Sequence, residues 1–102
     1  MVSLAEIKTA FAAYKYYYGS APIGTTLPYI VAHGEESDNF AADSKVYEKR
    51  ENMTLECYFK SKSETSESAI ETILDTLGVF YDKTESYDED ESFYLIIYSF
   101  WR

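Results

Sequence analysis

"ESDNFAADSKVYEKRENMTLECYF", residues 36–59, passes from an acidic, polar run holding a single aromatic, Phe40, into a stretch of strict alternation. That alternation decides the fold. Met53, Leu55, Cys57 and Phe59 occupy every second position, and Thr54, Glu56, Tyr58 and Lys60 the others. A strand sends successive side chains to opposite faces, so the first set belongs on a core and the second on the far side of a half-buried sheet. The preceding "KVYEKREN" (45–52) also reads as a strand. It is either paired with its successor through a turn near Glu51 and Asn52 or continuous with it through a bend. The polar segment from Gly34 to Ser44 reads as a loop projecting from the sheet.

Upstream, "YIVAH" (29–33) follows Pro28 and is β-branched and aromatic enough for a short strand that stops at Gly34. At the N-terminus, Ser3 and Glu6 have the spacing of a capping box, and Leu4, Ile7, Phe11, Tyr14 and Tyr18 fall on one helical face. The pattern predicts a helix over 3–18, terminated by Gly19. Successive helical residues turn by about 100°, so Tyr16, Tyr17 and Tyr18 cannot share a face, and Tyr16 and Tyr17 become candidates for a contact surface. "GSAPIGTTLP" (19–28) is a loop.

Downstream, Ile70, Ile73, Leu74 and Leu77 form an apolar stripe behind the capping residues Ser63, Thr65 and Ser66, and Gly78 follows. The prediction is a helix over 66–77. "VFYDKTESY" (79–87) and "SFYLIIYSFW" (92–101) flank the acidic "DEDE" (88–91) as a hairpin. Its second strand is apolar at every position that matters for either face, which places it centrally in the sheet. The order αββ(β)αββ describes one α+β domain over residues 1–102. Two helices pack on a mainly antiparallel sheet of four to five strands.

Eighteen Asp and Glu stand against nine Lys and Arg, for a net charge of −9. A duplex-binding domain needs the opposite balance to neutralise phosphates, so sequence-specific nucleic-acid binding is not expected. Anionic membrane surfaces are disfavoured for the same reason, and no apolar run approaches the roughly 20 residues of a membrane span. The first residues do not read as a signal peptide, and the one cysteine excludes an internal disulfide. An aromatic content of 18% is high and suits half-buried strands and subunit contacts alike.

Candidate chemistry is sparse. With one His and one Cys, the chain cannot supply the three or four nitrogen or sulfur ligands of a zinc site. A catalytic Cys57–His33 pair requires the fold to bring the two together. The phase of Cys57 with Leu55 and Phe59 instead reads as a buried small hydrophobe, and His33 beside Gly34 as a surface residue. The run from Asp88 to Glu91 lacks the spaced ligands and glycine of a calcium loop and reads as a solvated hairpin tip. Neither phosphate-binding nor dinucleotide-binding glycine motifs occur. No catalytic, cofactor-binding or metal-binding residue is expected.

Three motifs in order, Ser37-Asp38-Asn39-Phe40, Ala42-Asp43-x-Lys45-Val46-Tyr47 and the later Phe80-Tyr81, resemble the small tail terminator, or head-to-tail joining, proteins of long-tailed bacteriophages and prophages. The likeness covers nearly all of residues 27–101. One departure is Ala41, where the family often carries a second aromatic. The resemblance implies a non-enzymatic virion subunit that forms a ring, hexameric on the tail. The ring caps the head-proximal end of the tail tube and contacts both tube and head-completion proteins. It also implies assembly in the bacterial cytoplasm and residence at the head-tail junction. On this reading Asp38, Asn39, Phe40 and Asp43 contact a neighbouring subunit or the ring lumen, with Phe40 as the anchor. The competing expectation, motivated by charge and size, is an acidic interaction module such as a DNA-mimic inhibitor, which duplex DNA and salt would displace.

Overall fold

The computed structural model describes residues 2–42 and 45–102, with side chains for those outside 35–50. Helix α1 (Leu4–Ala10) is followed by strands β1 (Tyr16–Tyr18), β2 (Tyr29–Ala42) and β3 (Lys45–Phe59), helix α2 (Glu64–Leu77), and strands β4 (Tyr81–Asp88) and β5 (Phe93–Trp101). The strands form one sheet in the order β1-β2-β3-β5-β4, antiparallel throughout except for the parallel pair β1–β2. This is the expected α+β class, and β5 lies inside the sheet between β3 and β4.

The bracketed strand of the expected order exists, but in a different place. "KVYEKREN" and the alternating stretch are one continuous strand, β3. The additional strand is β1, drawn from the end of the predicted first helix. The capping box forms as expected, with Ser3 Oγ accepting from Glu6 N–H at 3.1 Å and Glu6 Oε1 accepting from Ser3 N–H at 3.2 Å. The helix nevertheless ends at Ala10, with Phe11 as its C-cap. Three consecutive aromatics favour an extended backbone, and here Tyr16–Tyr18 pair in register with Ile30–Ala32. A short helix has little cooperative reserve against that pairing. Tyr18 therefore leaves the helical stripe and is 54% exposed.

The second departure is at Gly34. β2 does not stop there: it passes through an irregularity between Gly34 and Glu36 and continues to Ala42, paired with β3. The predicted loop is therefore largely strand. A bulge lets an extended chain bend without ending its ladder.

Both helices pack on one face of the sheet. Ile7 and Phe11 of α1 and Ile70 and Leu74 of α2 are fully buried against Met53, Leu55 and Cys57 of β3 and Ile96, Tyr98 and Phe100 of β5. The predicted alternation of β3 is realised, with Phe59 partly buried at its end. α2 begins two residues earlier than predicted because Ser63 is its N-cap, accepting from Ser66 N–H at 3.2 Å. It ends where predicted, at Gly78, whose φ of 76° is the left-handed conformation that glycine adopts without a Cβ clash.

Candidate interaction surface

Beyond the sheet proper, β2 and β3 continue alone. β5 ends with Trp101 opposite Asn52. From Ser37 opposite Glu51 to Ala42 opposite Lys45, the two strands pair only with each other among the described residues. At about 3.4 Å per residue this is a ribbon roughly 20 Å long. It agrees with the molecule's extents of 51 × 26 × 21 Å and its radius of gyration of 15.0 Å, against about 13 Å for a compact chain of this length.

The base of the ribbon is clamped by the C-terminal residue. Arg102 N–H donates to Glu51 O at 3.0 Å, its Nε donates to Glu51 Oε1 at 2.9 Å, and a guanidinium N–H donates to Val2 O at 3.3 Å. Gly34 belongs to the same junction. A Cβ there would lie 2.7 Å from the Glu51 carboxyl carbon, so only glycine lets the carboxylate reach Arg102 unmoved.

The sequence-predicted contact residues fall in two separate places. Asp38, Asn39 and Phe40 lie in the ribbon, opposite Arg50, Lys49 and Glu48; their side chains, and Asp43 altogether, lie outside the described residues. Tyr16 pairs with Ile30 on the other stretch of β2, eight residues or about 26 Å along the strand from Asp38. Tyr16 faces the helices, its ring stacked 6.0 Å from that of Phe11, and burial together with Tyr18 raises its phenol above the ordinary value. It lines a groove of about 390 Å³ with Lys8, Thr9, Phe11, Ala12 and Tyr14. A second groove of about 260 Å³ shares Lys8 and Tyr16 and adds Leu4, Ala5 and Tyr18. Tyr17, one position on, takes the opposite face and is half-buried.

That opposite face carries no helix and is partly aromatic. Tyr29 stacks on Tyr58 at 4.6 Å, and Phe93 meets Tyr58 at 5.4 Å. Tyr58 Oη donates to Glu56 Oε1 at 2.9 Å. Burial first, and then the Glu56 carboxylate, push the Tyr58 phenol far above its usual range. His33 Nε2 lies 3.2 Å from Glu56 Oε2. At the outer edge of the sheet Phe80 is 97% exposed.

Sheet parity separates Cys57 from His33. Cys57 is opposite Ile30 and shares the buried face, whereas His33 is opposite Thr54 and points the other way. The dyad considered from sequence is not assembled. Cys57 is fully buried, as its phase predicts, and burial followed by Glu56 pushes its thiol up to about 12. A rise from 9.0 to about 12 lowers the thiolate fraction near pH 8 by about a thousandfold. The native protein should therefore show almost no reaction with a disulfide reagent and one thiol per chain after denaturation. Rapid labelling of the native chain would mean that the core around Cys57 opens readily.

At the β4–β5 turn Glu89, Asp90 and Glu91 are exposed, and Asp88 Oδ1 accepts from Glu91 N–H at 3.0 Å to close the turn. Among the described residues no group of three or more His, Cys, Asp or Glu is placed to hold a metal ion, and no helix is long and apolar enough to cross a membrane. No protein-family model matches the chain, and no curated protein matches it. The fold therefore offers surfaces: a ribbon, an aromatic groove and an exposed aromatic on the far edge. Sequence reading named parts of the first two and missed Phe80 as a surface residue.

Proposed function

We propose that this chain is a structural subunit of a long-tailed phage or prophage. It forms a ring, hexameric on the tail, that caps the head-proximal end of the tail tube and presents a surface to the head-completion protein. The observation that carries this reading is the β2–β3 ribbon. An isolated two-stranded hairpin is marginal in water, and this one extends past its sheet with no third strand among the described residues. A neighbouring chain that covers or extends the ribbon supplies the missing contacts, as strand-edge recognition does elsewhere. The ribbon also holds the described residues of the 37–47 run, on which much of the resemblance to tail terminators rests. A net charge of −9 suits a ring through which DNA must pass without adhering, because like charges repel. The protein assembles in the bacterial cytoplasm and ends at the virion's head-tail junction.

Deleting the gene from its phage or inducible prophage tests the reading directly. The expected lysate, viewed by negative-stain electron microscopy, contains filled heads apart from tails, and tails of uncontrolled length. Intact virions would remove the proposal and direct attention to competition with duplex DNA.

A further inference from the structure

The two outer edges of the sheet carry opposite chemistry. On the β1 side, the grooves around Tyr16 have aromatic walls from Tyr14 and Tyr18, and the exposed Lys8 contributes to both. Lys15 lies on the same stretch, its Nζ donating to Thr26 O at 2.9 Å. On the β4 side, Asp82 is exposed, Glu85 is paired with Lys62, and the strand leads into the acidic tip at Glu89–Glu91. Lys83 does not offset this charge outward, because its ammonium is held by Glu67 and Glu71 at 2.6 and 2.8 Å. Phe80 stands immediately before β4, 97% exposed, while its neighbours Val79 and Tyr81 pack on the core.

An exposed aromatic beside the carboxylate of Asp82 on one edge complements an aromatic groove beside an ammonium on the other. Association about a two-fold axis through either edge would set like charge against like. Head-to-tail association instead sets acid against Lys8, and it is the arrangement that closes into rings. We infer that the β4 edge of one copy docks on the α1–β1 edge of the next. Phe80 sits in the groove walled by Tyr14 and Tyr16, and Asp82 faces Lys8. The inference rests on the ring reading and names the ring's subunit contact.

Sedimentation velocity on the full chain, with cysteine cross-linking, tests it. The wild-type protein should assemble with rising concentration. A buried aromatic anchor is worth enough that Phe80→Ala should weaken association about 30-fold. Lys8→Glu should also weaken it, and Asp82→Lys in the same chain should restore it. All three positions are exposed, so the monomer's circular dichroism should not change. A mixture of Thr9→Cys chains with Phe80→Cys chains should give the mixed cross-linked dimer, and neither variant alone should give its own. If assembly proceeds unchanged in Phe80→Ala and Lys8→Glu, this contact is wrong while the ring reading stands on the lysate phenotype. Self-linked Phe80→Cys dimers without mixed product, or a chain that stays monomeric at every concentration, would also overturn it.

Discussion

Replacing residues 38–50 with an Asn-Gly turn should abolish head-tail joining and leave the domain folded. Ser37 and Glu51 face each other in the ladder, so a two-residue type I′ turn can close the hairpin there, and Asn-Gly is its preferred sequence. Glu51 stays, and with it the clamp to Arg102. The cluster that buries Ile7, Phe11, Met53, Leu55, Tyr98 and Phe100 lies in elements that the replacement leaves whole. A two-stranded ribbon contributes little to stability by itself, so the melting temperature should move by no more than about 5 °C, the equivalent of about 1 kcal/mol. Assembly should respond completely: supplied in trans to a gene-deleted prophage, the shortened protein should yield separate heads and tails, as the deletion does. Infectious particles with tails of normal length would show that the ribbon is dispensable and remove the observation on which the proposed function rests.

How much of this was legible in the sequence depended on whether a segment faces the core. The alternation of Met53 to Phe59, the stripe Ile70 to Leu77 and the apolar β5 each have a buried face, which leaves a periodic signature. The ribbon runs on past the end of β5, where no third strand among the described residues pairs with it, and its polar sequence resembles a loop. The usable signal was different: residues 35–52 contain neither Gly nor Pro to interrupt an extended chain. At the N-terminus the periodicity was genuine for Leu4, Ile7 and Phe11 but coincidental for Tyr18. The choice between helix and strand at Tyr16–Tyr18 was made by pairing with Ile30–Ala32, a contact fourteen residues away that local pattern does not contain.

The candidate surfaces divide in the same way. Tyr16 and Tyr17 were named for a helical reason that does not apply, yet strand alternation also sends them to different faces. Phe80 escaped notice as a contact because Val79-Phe80-Tyr81 reads as an ordinary start to an apolar strand. Only the packing of Val79 and Tyr81 on the core shows that the residue between them faces out. Cys57 was legible from phase alone, and its separation from His33 followed once the register of β2 on β3 was known.

Lys83→Met should lower stability by about 2 kcal/mol at pH 7, or roughly 10 °C in melting temperature, and most of that difference should vanish in acid. Lys83 Nζ donates to Glu67 Oε1 at 2.6 Å and to Glu71 Oε2 at 2.8 Å, and Tyr98 Oη donates to the same Glu71 oxygen at 2.9 Å. These contacts tie β4 and β5 to α2, and they raise the Lys83 ammonium well above its usual value. Glu67 is 5% exposed. Burial alone would raise its carboxyl, but hydrogen bonds from Lys83 and Lys62 together hold it below the ordinary 4.5. Glu71 is held low first by Lys83, against burial, and then by Tyr98. Severing a fully buried pair costs about 3–5 kcal/mol. The smaller figure here reflects the 34% exposure of the Lys83 side chain and the continued contact of Lys62 with Glu67 at 3.0 Å. Because both carboxyls titrate lower in the folded chain than in the unfolded one, their contribution is present above about pH 4.5 and is lost as pH falls through the depressed folded values. In Lys83→Met the burial of Glu67 is opposed by Lys62 alone, so its carboxyl should titrate higher and the variant should lose less on acidification. Thermal unfolding of both proteins at pH 7 and pH 3.5 should show the gap shrinking to less than half. Glu67→Leu added to Lys83→Met should recover part of the loss at pH 7, since the uncompensated carboxylate is then gone. An equal gap at both pH values would mean that packing of the lysine stem, and not its charge, joins α2 to the sheet edge.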